Sequence, residues 1–308
     1  MPPPGRLLDI GGRRLHVDIA GHGPAQVVLE AGLAATSVSW ALVTKRVAEF
    51  ATVITYDRAG LGWSDPAPSG YTALDAAHDL ATLLDRAECQ APLLFVGHSF
   101  GGLIVRVFEQ LYPERVAALL LVDPVCRSEW RAPNEERRKT LAHGVLLSRR
   151  GELLARLGVV RLALALVLSG SRTMPKLLAR FSAGRGAELT ERLAGEVGKM
   201  PRELWPVVAS HWSNARSFRT MANALENLPV SVAQLDESRS LGDLPIVVLS
   251  AANTNAEGLR EHEHDARLST RGEHRVVEDT RHWIQLDAPE AIVEAIRTLT
   301  PPFGRSVM

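Results

Sequence analysis

Pro92-Leu93-Leu94-Phe95-Val96-Gly97-His98-Ser99-Phe100-Gly101-Gly102 is the stretch on which the reading of this chain turns. Residues 92–96 are a short continuous apolar run and residues 101–112 follow with helical periodicity, so the serine is predicted at a turn between a buried strand and a helix. Glycines on both sides suit that place, because a serine on so sharp a strand-to-helix turn leaves no room for neighbouring side chains. The helix starting there also offers backbone N–H groups to an anion. G-x-S-x-G alone is a weak signal. The strand before it and the helix after it make it specific, and they point to Ser99 as a nucleophile.

Apolar and β-branched runs recur at 26–30, 52–56, 93–96, 117–122, 246–249 and 275–277. Most are continuous, as expected of strands covered on both faces. Ahead of them, 7–10 and 15–19 alternate and flank Gly11-Gly12, a pair suited to a hairpin turn. Helical patterns such as 72–86 and 101–112 lie between the strands. The expected fold is therefore α/β: a mostly parallel eight-stranded sheet with helices on both faces. From 123 to 244 the alternation stops and only helical periodicity is left. We expect a core of residues 1–126 and 229–308, with a helical lid inserted at 127–228.

The 308 residues are 46% hydrophobic and 23% charged, an ordinary globular composition, and 35 basic residues against 35 acidic ones give no net field to draw nucleic acid. Residues 1–5 are proline-rich and lack the basic and apolar regions of a secretory signal, so a cytoplasmic location is expected. Cys89 and Cys126 stand in no metal-binding or redox spacing, and neither a metal nor another cofactor is implied. The longest apolar stretch, 159–168, is broken by Arg161 and falls well short of the roughly 20 residues of a membrane-spanning helix.

Four further segments join the serine turn in a resemblance to lid-bearing members of the α/β-hydrolase superfamily. Val28-Leu29-Glu30-Ala31-Gly32-Leu33 is similar to the third strand and oxyanion loop of that family. Tyr56-Asp57-Arg58-Ala59-Gly60-Leu61-Gly62-Trp63-Ser64-Asp65 is similar to a structural segment after the fourth strand. Leu121-Val122-Asp123-Pro124 resembles the end of the sixth strand. Arg281-His282-Trp283, with Leu286-Asp287-Ala288-Pro289-Glu290, resembles the histidine loop and the start of the last helix. The likeness covers nearly everything outside the lid.

A serine hydroxyl needs a base to accept its proton during attack, and the resemblance makes His282 that base. Of the other histidines, His16, His22, His78 and His143 lie in hairpin, helix or lid positions, His262 and His264 in a polar segment, and His98 beside the serine on a turn that points successive side chains apart. The implied oxyanion donors are the backbone N–H groups of Phe100 and Leu33, although Ala31-Gly32 stands where the family commonly has His-Gly. The third member must be a carboxylate. Thr254, flanked by Asn253 and Asn255, fills the position after the seventh strand where the family most often carries it. Some members, certain haloalkane dehalogenases among them, carry the acid after the sixth strand, where this chain has Asp123. Glu257, Glu261, Glu263 and Asp265 are the alternatives.

The implied activity is hydrolysis of a small-molecule carboxylic ester through an acyl-Ser99 intermediate. A serine at the elbow separates this chain from the related dehalogenases and epoxide hydrolases, which attack with aspartate. Amide cleavage, C–C hydrolysis and a non-catalytic ligand sensor on the same fold stay open. From 127 to 182, twelve basic residues face four acidic ones, interleaved with Leu153, Leu154, Leu157, Val160, Leu164 and Leu168. We read this as a cap whose apolar face covers the pocket behind a basic rim, with membrane-surface contact as the lesser alternative.

Overall fold

The computed structural model describes residues 3–89, 92–168 and 198–300. One sheet holds β1 (Arg6–Asp9), β2 (Arg14–Ala20), β3 (Gln26–Glu30), β4 (Thr52–Tyr56), β5 (Leu93–His98), β6 (Val116–Val122), β7 (Ile246–Ala251) and β8 (Gly272–Val277). Their spatial order is β1-β2-β4-β3-β5-β6-β7-β8. Gly11 and Gly12 turn β1 into β2 at φ of +94° and +89°, a conformation that a Cβ would penalise. β2 pairs antiparallel with β1 and β4, and every other pairing is parallel. The sheet is thus mostly parallel, as expected.

Helices α1 (Ala41–Val47), α2 (Ala73–Arg86) and α3 (Phe100–Leu111) follow β3, β4 and β5. Between β6 and β7 the described residues form α4 (Ser128–Arg131), α5 (Glu135–Arg156), α6 (Val159–Leu168), α7 (Trp205–Trp212), α8 (Ala215–Glu226) and α9 (Leu228–Ala233), and add no strand to the sheet. Beyond β7 come α10 (Ala256–Arg267), α11 (Ile284–Asp287) and α12 (Pro289–Leu299). α2 and α3 share one apolar layer, and α1 and α12 share the other. β5 shows why its run is continuous: Leu93 and Phe95 enter the first layer, Leu94 and Val96 the second, and all four are buried. Fully burying such a side chain stabilises the fold by about 1.5–3 kcal/mol. β8 begins at Gly272, ahead of the run expected from 275, because an edge strand tolerates the exposed Glu273 that hides its apolar pattern.

The segment between β6 and β7 departs from the expected orientation. α5 meets α8 through small residues: a Cβ on Gly151 would come within 2.4 Å of Phe218, and one on Gly144 within 3.1 Å of Leu225. Ser148, between them on that face, is buried. Arg219 and Arg149 bind across the same contact to Glu152 and Glu226. Leu153, Leu154 and Leu157 therefore turn the other way, whereas Val160 and Leu164 of α6 are half-buried. Leu153 is 59% exposed and Leu157 68%, with Leu146, Leu147, Leu154 and Leu162 also open to solvent, so these side chains do not cover a pocket. The side chain of Leu168, and Arg172, Lys176 and Arg180, lie outside the described residues. Among those described, no helix is long and apolar enough to cross a membrane.

Candidate active site

Ser99 caps α3 at φ 54° and ψ −119°, a left-handed conformation that costs a non-glycine residue about 1–3 kcal/mol. Its surroundings hold it there. Its N–H donates to the Val122 carbonyl at 3.0 Å, and its own carbonyl accepts from the amides of Gly102 at 2.9 Å and Val125 at 3.2 Å. The flanking glycines are sterically required: a Cβ on Gly97 would lie 2.5 Å from the Gly101 carbonyl oxygen, and one on Gly101 2.5 Å from that of Glu30.

Asp123 follows β6 directly and is also left-handed, at φ 41°, a region that aspartate tolerates better than most residues. Its N–H donates to the Leu249 carbonyl at 2.7 Å, locking the end of β6 to β7. Oδ1 accepts from the Ala251 amide at 3.1 Å and the Thr254 hydroxyl at 2.7 Å. Oδ2 accepts from His282 Nδ1 at 2.7 Å. Burial works against ionisation of this carboxyl, yet the bonds from His282, Thr254 and Ala251 prevail and hold it at about 2. Thr254 thus stands where the family most often places an acid, and there it donates to Asp123.

His282 Nε2 lies 3.0 Å from Ser99 Oγ, so the structure brings Ser99, His282 and Asp123 into one hydrogen-bonded chain. An ionised carboxylate only accepts, which puts the imidazole proton on Nδ1 and leaves Nε2 free to accept from the serine. The imidazole side chain is 36% exposed, so it can meet solvent or substrate. Its backbone is fixed from below: His98 Nε2 donates to the His282 carbonyl at 2.8 Å, and His98 Nδ1 accepts from the Gln285 amide at 3.2 Å. Burial, with the nearby His282, brings His98 down to about 3, so it is neutral there.

The four alternative acids are engaged elsewhere. Asp265 receives Arg106 and the buried Arg127, and Glu261 receives the amides of Arg127 and Ser128. Glu257 accepts from the Ser128 hydroxyl and Glu263 from Arg267. Asp265, Glu261 and Glu257 thus tie the start of α4 to α10, and Glu263 bonds within α10 itself.

The amide of Phe100, first in α3, has no intrahelical acceptor. That of Leu33 has no acceptor among the described residues. Gly32 lies against Ser99, where an added Cβ would come 3.6 Å from the serine Cβ. The sequence reading passed over what holds this loop. Arg58 donates to Glu30 and to the carbonyls of Ala31, Gly32 and Leu33, and Tyr56 donates to Glu30. The available signal was Glu30 itself, a charge closing the otherwise apolar run of β3. Among the described residues, no group of three His, Cys, Asp or Glu side chains could hold a metal ion.

A family profile for the alpha/beta hydrolase fold matches residues 26–289. Among curated proteins, the probable transporter efuK of Hormonema carpetanum is 32% identical over 125 residues, 38% of this chain and 18% of that protein. RutD of Variovorax paradoxus, whose name gives it provisionally as a carbamate hydrolase, is 35% identical over 125 residues, 39% of this chain and 44% of that one. The chain spans less than half the length of these relatives. Among solved structures, a thermophilic esterase from Thermogutta terrifontis aligns at a TM-score of 0.63 and 20% identity, covering 93% of this chain and 92% of its own. With the profile spanning most of the sequence and the sheet order and serine turn in place, the chain belongs to the alpha/beta hydrolase fold family.

Proposed function

We propose that this protein is a serine hydrolase that cleaves a carboxylic ester. The observation that carries this is the continuous chain from Asp123 through His282 to Ser99 Oγ, at 2.7 and 3.0 Å. In the mechanism, His282 Nε2 takes the Ser99 proton as Oγ attacks the ester carbonyl. Asp123, ionised, holds the Nδ1–H tautomer and stabilises the imidazolium. The amides of Phe100 and Leu33 receive the developing oxyanion, and His282 returns the proton to the leaving alcohol. Water, activated by the same imidazole, then releases the acid from Ser99. The lid over this site would be the 127–228 segment, supported among the described residues by Met200 and Val208, which pack against Val38 and Leu286 of the core, while 169–197 lie outside them. The esterase among the solved structures is compatible with this reading, and the carbamate hydrolase name of RutD keeps amide-type substrates as the alternative.

The test is labelling and turnover. Wild-type protein should react with a fluorophosphonate and hydrolyse p-nitrophenyl esters faster than aryl amides. Ser99→Ala should do neither while remaining folded. Labelling that survives in Ser99→Ala would remove the serine from the mechanism, and labelling without turnover of any ester or amide would favour a ligand sensor.

The exposed leucines favour one additional reading, contact of α5 and α6 with an anionic lipid surface. Arg150 and Arg161 are interleaved along the chain with Leu146, Leu153, Leu157 and Leu162, and Glu152, the acid within α5 beside them, is spent on Arg156 and Arg219. Co-sedimentation with phosphatidylglycerol vesicles, lost in Leu153→Gln/Leu157→Gln, would support it, and equal sedimentation of the two proteins would end it.

A further inference from the structure

The Arg58 guanidinium spreads its donors over four acceptors. It pairs with Glu30 Oε1 and the Gly32 carbonyl, and lies 2.5 Å from the Ala31 carbonyl oxygen and 2.9 Å from that of Leu33. It also sits 5.8 Å above the centre of the Phe100 ring. Arg58 is 5% exposed and Glu30 not at all. Burying such a pair is weak evidence for stability, since well-packed apolar residues often do as well. A pair that served only to neutralise Glu30 would also have no need of three successive carbonyls. Tyr56, whose hydroxyl burial and Glu30 keep protonated, fills the second oxygen of Glu30 and fixes the carboxylate under the guanidinium.

The consequence lies in the peptide between Gly32 and Leu33. Its C=O and N–H belong to one planar trans unit and point in opposite directions. Anchoring the Gly32 carbonyl on Arg58 therefore turns the Leu33 N–H away from the guanidinium. Gly32, lacking a Cβ, restrains this peptide little by itself, and the Ala35 amide, 3.2 Å from the same carbonyl oxygen, is the other group that shares the anchoring with Arg58. The flat, rigid fork of arginine can hold several coplanar acceptors at once, which an ammonium cannot. Where the family commonly places His-Gly, this chain has Ala31-Gly32, and the support comes instead from the segment after β4.

We propose that Arg58, seated on Glu30 and Tyr56, is a positioning residue of the oxyanion hole: it orients the Leu33 amide through the Gly32 carbonyl and braces Phe100 through its ring. This rests on the serine-hydrolase reading. The pair Glu30–Arg58 then contributes to transition-state binding without touching the substrate, so its loss should lower kcat and leave KM nearly unchanged.

The experiment compares wild type with Arg58→Lys, which keeps the charge but not the fork, and with Glu30→Gln/Arg58→Met, which removes both charges. Rates on a p-nitrophenyl ester are referred to the folded fraction seen by circular dichroism. Loss of one oxyanion donor costs about 10²–10³ in kcat, and we expect about 10²-fold in both variants, with KM within about threefold of wild type. The second-order rate of fluorophosphonate labelling should fall in parallel, since phosphonylation uses the same donors. A kcat per folded molecule within about threefold of wild type in either variant, or a loss confined to KM, overturns the proposal. A wild type that neither labels nor turns over would instead fail the serine reading itself.

Discussion

Leu120 in β6 and Leu153 in α5 are the same side chain in opposite surroundings. Leu120 is fully buried in the layer that α1 and α12 close over the sheet, whereas Leu153 is 59% exposed on the outer side of its helix. The sheet side of the molecule uses its packing to hold strain. Ser99 and Asp123, two of the four described non-glycine residues with positive φ, stand at the ends of β5 and β6, where neighbouring strands pin their amides. A conformation that costs about 1–3 kcal/mol persists only where its surroundings over-determine it. The helical segment between β6 and β7 has no such frame. Leu228 and Val232 of α9 do enter the apolar layer of α2 and α3, and Val208 of α7 packs with Val38 and Leu286, but much of the rest is held by polar ties such as Arg127 to Asp265 and Arg216 to the Gly62 carbonyl, and α5 leaves aliphatic surface in water.

The largest test of this contrast falls on the sheet side. Asp123→Asn keeps the shape of the side chain, tolerates φ 41°, and can still accept from Ala251 and Thr254, but it permits the wrong imidazole tautomer. The same change in a serine protease costs about 10⁴ in kcat, and we expect a loss of that order with the melting temperature kept within a few degrees. Near-normal turnover by the folded variant would mean that His282 is oriented by something else.

A smaller effect should appear in the acid range. Folded His98 titrates at about 3, whereas an unfolded histidine titrates near 6.5. Between these values the unfolded chain holds a proton that folded His98 refuses, so stability falls as pH falls. This one group contributes at most about 1.4 kcal/mol per pH unit, and nothing above pH 7. His211 and His274, also lowered by burial, add slope of the same sign. Urea unfolding from pH 7 to 4 should therefore show a shallower slope in His98→Gln than in wild type. Parallel slopes would mean that His98 is not buried in solution as it is here.

Much of the fold was legible because strands covered on both faces write continuous apolar runs, as residues 93–96 do. The serine turn was legible because glycine is the only residue that fits at 97 and 101, and the structure places Ser99, His282 and Asp123 in one hydrogen-bonded chain. Arg58 was not legible in its role, because its bonds reach back 25 to 28 residues to a loop whose path no local pattern sets. The direction of the α5 leucines was misread for a different physical reason. Periodicity marks an apolar stripe, but helices approach most closely over small residues, and Gly144, Ser148 and Gly151 present α5 to α8 along the opposite side.

The smallest expected effect follows from that correction and tests it most directly. Replacing Leu153 and Leu157 by glutamine removes aliphatic surface that water already reaches, since the two are 59% and 68% exposed, and glutamine keeps good helix propensity. Surface changes of this kind stay within about ±0.5 kcal/mol each, against about 2–5 kcal/mol for Leu120→Ala in the sheet. Chemical unfolding of the two variants beside wild type measures the difference. Equal stability of Leu153→Gln/Leu157→Gln and wild type, with Leu120→Ala far below both, is the expected pattern. A loss of 2 kcal/mol or more from the glutamine pair, of the size that buried leucines show, would mean that this face of α5 is covered in solution, and a loss that vanishes on dilution would name a second copy of the chain as the cover.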